Sequence, residues 1–171
     1  MFKAIGIICI LIGCVGWGNM GIRQERERIR HLQTMQRILE RIKTEIAYGK
    51  HTLPEICLLL TEINDTSYQN CFRRIYEASV EGGSGLPALW KTEFQDFFKG
   101  QPIREEEREV FAGLPDRLGF QEETGQAENI GQAEAFFSRR GRQAEESCEN
   151  RTKMIRSVSI LTGLLLTIWL L

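Results

Sequence analysis

RQERERIRHLQTMQRILERIKTEIAY, residues 23–48, contains neither glycine nor proline, and Ile29, Leu32, Met35, Leu39, Ile42 and Ile46 recur in it every three or four positions. That spacing lines one face of an α-helix. The opposite face is dense in Arg, Glu and Gln, with Glu27 and Arg30, or Arg41 and Glu45, close enough for weak mutual support. A stripe of this kind has to be covered. Packing inside a helical domain is the expected cover, in preference to a coiled-coil partner.

Upstream, residues 4–22 carry no charged side chain, a 19-residue run. At about 1.5 Å per residue it nearly matches a hydrocarbon core of about 30 Å. Downstream, residues 157–171 form a second, shorter apolar run. It reaches across a bilayer if Arg156 snorkels or the membrane thins locally, with Trp169 as an interfacial anchor. Arg23, Arg26, Arg28, Arg30, Arg37 and Arg41 follow the first run, and Arg139, Arg140, Arg142, Arg151, Lys153 and Arg156 precede the second. Only Lys3 lies on the other side. The positive-inside rule therefore predicts a transmembrane helix at 1–22, a cytoplasmic domain at 23–156 and a second transmembrane helix at 157–171. An alternative reading takes Lys3 and Leu11-Ile12-Gly13-Cys14 as a lipoprotein signal. Acylation at Cys14 would then make the chain a membrane-anchored binding module outside the cell. The apolar residues that continue past Cys14 to Ile22 argue against it.

Gly49 supplies a stop for the first helix. Thr52-Leu53-Pro54-Glu55 then predicts a new start, with Thr52 as N-cap and Glu55 closing a capping box. Leu53, Ile56, Leu59, Leu60 and Ile63 form its apolar side. A third helix is expected to open at Thr66-Ser67-Tyr68-Gln69 and to face inward through Tyr68, Cys71, Phe72, Ile75, Tyr76 and Ser79. The glycines of Gly82-Gly83-Ser84-Gly85 break the pattern. With no preceding strand and no Gly-Lys-Ser/Thr, this is an interhelical loop and not a phosphate cradle. Ser84 is placed as the cap of a fourth, aromatic helix through Leu86, Leu89, Trp90, Phe94, Phe97 and Phe98.

Glu105-Glu106-Glu107 stands in the first turn of a fifth helix, where carboxylates meet the positive end of the dipole. Three consecutive carboxylates spread around the helix and do not converge on a metal. Val110, Phe111 and Leu114 are candidate core residues, and Pro115 is expected to kink or end the helix. A long sixth helix should run from Phe120 into the second apolar run, with Ile130, Ala133, Phe137, Ala144 and Cys148 inward. Gly125, Gly131 and Gly141 predict close packing or a local break in it. The fold class is thus all-α, a bundle of about six helices flanked by two transmembrane helices.

Little chemistry is on offer. Net charge is −1, so the one-sided basic field that nucleic acid requires is missing. The five cysteines, at 9, 14, 57, 71 and 148, have no C-x-x-C spacing. They are expected to be small buried hydrophobes. His31 and His51 have no nucleophile or zinc motif beside them and are expected in solvent. No catalytic, metal or cofactor residue is assigned. What remains is surface. Arg23, Arg26, Arg28, Arg30, Arg139, Arg140 and Arg142 are candidates for contact with anionic lipid or an acidic partner.

Several segments resemble the stage III sporulation protein AB family. They are Glu45-Ile46-Ala47-Tyr48-Gly49 with Leu53-Pro54-Glu55, then Trp90, then Leu118-Gly119 with Glu122 and Gln126, and last Lys153-Met154, Arg156-Ser157 and Gly163-Leu164-Leu165-Leu166. The resemblance runs through the whole chain in order. Glu122, where the family usually has Asp, and Pro115 are departures. The resemblance implies an endospore-forming bacterium and the mother-cell membrane around the forespore. There the protein would be a non-enzymatic subunit of a secretion-like channel, with room for self-association. Family members are similar to the cytoplasmic domain of the type II secretion inner-membrane platform protein, which by analogy implies docking of a secretion-type ATPase.

Overall fold

The computed structural model describes residues 2–49, 51–82, 85–118 and 123–170; the side chains at 2–21, 49, 117, 123–127, 156, 159–160, 163–164 and 166–170 are outside the description. The described residues form seven α-helices: α1 (Phe2–Thr44), α2 (Leu53–Leu59), α3 (Thr66–Val80), α4 (Leu86–Phe97), α5 (Glu105–Ala112), α6 (Leu114–Leu118) and α7 (Glu123–Leu170). A π-helical turn, Glu45–Gly49, follows α1, and a 3₁₀ turn, Leu60–Glu62, follows α2. No strand occurs among them. The chain divides into two units, Met1–Ile29 with Arg142–Leu171, and Arg30–Gly141.

The unit Arg30–Gly141 holds the densest core. Leu32, Met35, Ile38, Leu39 and Ile42 of α1 are buried. Each contributes about 1.5–3 kcal/mol by leaving water. Ile38 widens the stripe beyond the expected spacing. The opposing helices meet through rings. Phe94 of α4 lies edge-to-face on Phe111 of α5 at 4.9 Å and on Phe72 of α3 at 5.3 Å, and Trp90 sits 5.2 Å from Phe72. Phe111 reaches Phe137 of α7 at 6.1 Å. Such pairs add about 0.5–1.5 kcal/mol each beyond area burial.

Helix starts follow a shared local rule. Leu53-Pro54, Leu86-Pro87 and Leu114-Pro115 each occupy the first two positions of a helix. There the missing proline N–H costs nothing, because the first-turn amides have no intrahelical acceptor. Pro115 therefore begins α6 and does not end α5. The break falls at Gly113, where an added Cβ would meet the Glu109 carbonyl oxygen at 3.1 Å. At the start of α2, Glu55 Oε2 accepts the Thr52 N–H at 2.7 Å and the Thr52 hydroxyl at 2.9 Å, which makes the Glu55 half of the expected box. α3 is capped one residue earlier than expected: Asp65 Oδ1 accepts the Ser67 N–H at 3.1 Å, and the Gln69 side-chain amide donates to the Ile63 carbonyl at 2.6 Å. Gly82 and Gly100 exit α3 and α4 at a φ of +79°, which L side chains rarely adopt. Gly85 is the N-cap of α4; Ser84 lies outside the described residues.

Ile130, Ala133 and Phe137 of α7 are buried as expected. The glycine expectation is corrected: α7 is unbroken through Gly131 and Gly141, and a Cβ at either would meet nothing within 4 Å. Neither close packing nor a break accounts for them.

In the other unit Ile22, Ala144 and Cys148 are buried. Met154, Val158, Leu161 and Leu165 are exposed at intervals of four, three and four. Glu25 pairs with Arg28 at 2.7 Å, and Glu149 with Lys153 at 2.7 Å. Among the described residues no helix is long and apolar enough to cross a membrane. Most side chains of the two expected spans lie outside those described.

Candidate interaction surfaces

The motif Glu45–Gly49 is the π turn that closes α1, and it divides its side chains sharply. Ile46 is buried; Tyr48 is 86% exposed. Glu45 forms an ion pair with Arg41, 2.8 Å to Nε, and lies 3.6 Å from His51 Nε2, while His51 Nδ1 lies 3.7 Å from Glu55. The carboxylates thus link the end of α1 to the start of α2. The Thr52 backbone N–H, then its hydroxyl, with His51 adding a smaller pull, hold the Glu55 carboxyl below its ordinary value. Trp90 and Leu118 belong to the core. The Trp90 indole N–H donates to the Phe111 carbonyl at 3.0 Å. Gly119, Glu122 and the Gln126 side chain lie outside the described residues, as does the side chain of Cys14.

The arginines separate by environment. Arg23, Arg26, Arg30, Arg139 and Arg142 are exposed, whereas Arg28 is buried with its guanidinium on Glu25. Arg139 Nε donates to the Ala135 carbonyl at 3.3 Å. Arg140 pairs with Glu106 and stacks over Phe136, 5.2 Å from the ring centroid. The three consecutive glutamates diverge as expected. Glu105 goes to Arg108 at 2.6 Å, Glu106 to Arg140, and Glu107, buried, accepts the Arg104 N–H at 3.1 Å.

His31 corrects the solvated expectation. It is buried, its Nδ1 lies 3.1 Å from the Tyr68 hydroxyl, and its ring contacts Phe97 edge-on at 6.1 Å. Burial pushes the Tyr68 hydroxyl well above its usual value, so it stays protonated and can donate to the imidazole. His51 stands in solvent as expected. Cys57, Cys71 and Cys148 are buried. Burial pushes the Cys57 thiol up to about 12 and, with Glu93 adding, the Cys71 thiol to about 12. Neither offers a thiolate at neutral pH.

An open groove of about 280 Å³ had no counterpart in the sequence reading. Arg37 and Arg41 of α1 line it together with Leu59, Leu60, Glu62 and Ile63. The only sequence signal is two cations one turn apart on the polar face of α1, because the facing wall comes from another helix.

Comparison with known proteins agrees with this architecture. A curated relative, Stage III sporulation protein AB of Bacillus subtilis (strain 168), is 22% identical over 171 residues, the full length of both chains. A solved Stage III sporulation protein AB superposes with a TM-score of 0.64 at 18% identity, covering 72% of this chain and 97% of that one. At that identity the superposition speaks for the fold. The family described as Stage III sporulation protein AB matches residues 3–171. That match takes in the helical domain and both apolar ends, and the chain belongs to the stage III sporulation protein AB family.

Proposed function

We propose that this protein is a membrane-anchored, non-enzymatic coupling subunit of a sporulation-associated, secretion-like channel, with its helical domain in the mother-cell cytoplasm. Residues 4–22 and 157–171 serve as the spans, and the domain docks a secretion-type ATPase. The observation that carries the reading is the family match over residues 3–171. The exposed Met154, Val158, Leu161 and Leu165 support it, because one apolar side of a helix needs a cover other than water. The interlocked ring core supports it too, since a rigid domain can transmit a push between an ATPase and membrane neighbours.

The test is affinity purification of the full-length, tagged chain in detergent from sporulating cells. The ATPase should co-purify from the membrane fraction. Recovery without the ATPase or any other membrane component of the channel would refute the reading.

A further inference from the structure

The groove between α1 and the turn after α2 has the chemistry of a docking site. One wall is cationic. The Arg37 side chain has no ion pair or hydrogen bond among the described residues. Arg41 is 55% exposed at its side chain and pairs with Glu45, Nε to Oε1, at 2.8 Å. The other wall is apolar. Leu59 and Ile63 are half-buried, Leu60 is buried as a floor, and Leu58 beside them is 46% exposed. Glu62 is the one acidic lining residue, and it pairs with neither arginine. Over residues 30–49 as a whole, four Arg or Lys face two carboxylates, so the cationic wall belongs to a positive stretch.

We infer that this groove receives an acidic amphipathic helix of a partner subunit, with carboxylates against Arg37 and Arg41 and apolar side chains on Leu59 and Ile63. This rests on the coupling-subunit reading and names where the contact is made. A helix fits because a groove with one apolar and one charged wall matches side chains repeating at three and four residues. Charge sets the occupant: a cationic partner would meet Arg37 unscreened, whereas an acidic one gains both attraction and faster encounter. Arginine is also enriched at interfaces, where its planar donors pair bidentately with carboxylates.

The full-length chain in detergent is titrated with the purified secretion-type ATPase from the same cell. Arg37→Glu, which breaks no existing pair, should weaken binding at least about tenfold with an unchanged circular dichroism spectrum, and Leu59→Glu should do the same. Benzoylphenylalanine in place of Ile63 should cross-link to the ATPase; in place of Val80, exposed but outside the groove, it should not. Wild-type affinity in both variants, with no cross-link from position 63, would overturn the groove assignment while the docking reading stood. No binding by the unmodified chain would overturn both.

Discussion

The two units stabilise themselves by different means. In Arg30–Gly141, Tyr68, Phe72, Trp90, Phe94, Phe111 and Phe137 are all buried, and the rings touch across four helices. In the unit formed by the two ends, the described side chains bury Ile22, Ala144 and Cys148 and leave Leu161 64% and Leu165 68% exposed. The first unit carries its own core; the second displays apolar surface that water does not favour. A unit with a buried core of its own and a unit with exposed apolar side chains should respond to different perturbations.

The largest effect is expected at Phe94, whose ring meets those of Tyr68, Phe72, Trp90, Phe97, Phe98 and Phe111. Phe94→Ala should cost about 3–5 kcal/mol, read as a lower denaturant midpoint for the domain. A loss under about 1 kcal/mol would mean that the rings are not packed as described. On the proposed span at 157–171, Leu161→Arg should leave that midpoint unchanged and oppose membrane insertion, by less than the about 2.5–3.5 kcal/mol of a central position. Alkaline extraction would then release more of the chain, and equal retention would break the contrast between the units.

A smaller gain is expected from Gly131→Ala, where the helix is regular and the space is open. It should stabilise the domain by about 0.5–1 kcal/mol in the same denaturation experiment. The least effect concerns pH. Because the Glu55 carboxyl is held below its ordinary value of 4.5, its bonds to Thr52 are intact above that value and are lost as pH falls through the lower, folded one. The Thr52 amide resonance should shift below pH 4.5 and not in Glu55→Gln; a shift that persists in the variant would assign it elsewhere.

Much of this architecture is legible along the chain, because the features that show are local. The three-and-four spacing of Leu32, Met35, Leu39 and Ile42 finds α1, the Thr52–Glu55 pair finds the start of α2, and Ile130, Ala133 and Phe137 find the inner side of α7. Non-local features do not show. His31 is surrounded by charges in sequence, yet Tyr68 from α3 and Phe97 from α4 close over it. Glu107 reads like its two neighbours until the fold buries it against the Arg104 N–H. Pro115 reads as a terminator because proline ends and begins helices alike, and only the Gly113 turn decides between them. The groove falls in the same class, since its walls lie some twenty residues apart in the chain. The family resemblance, by contrast, rests on short ordered segments, which is why it could be read without any of these contacts.

The hydrogen bond from Trp90 to the Phe111 carbonyl has a kinetic corollary. α5 has eight residues, too few to persist alone in water, and the indole bonds a last-turn carbonyl whose i+4 position is Pro115, which has no N–H to offer. α5 cannot come loose without α4 surrendering that bond and the ring contacts beside it. The two helices should therefore behave as one opening block, with their slowest backbone amides exchanging hydrogen for deuterium together.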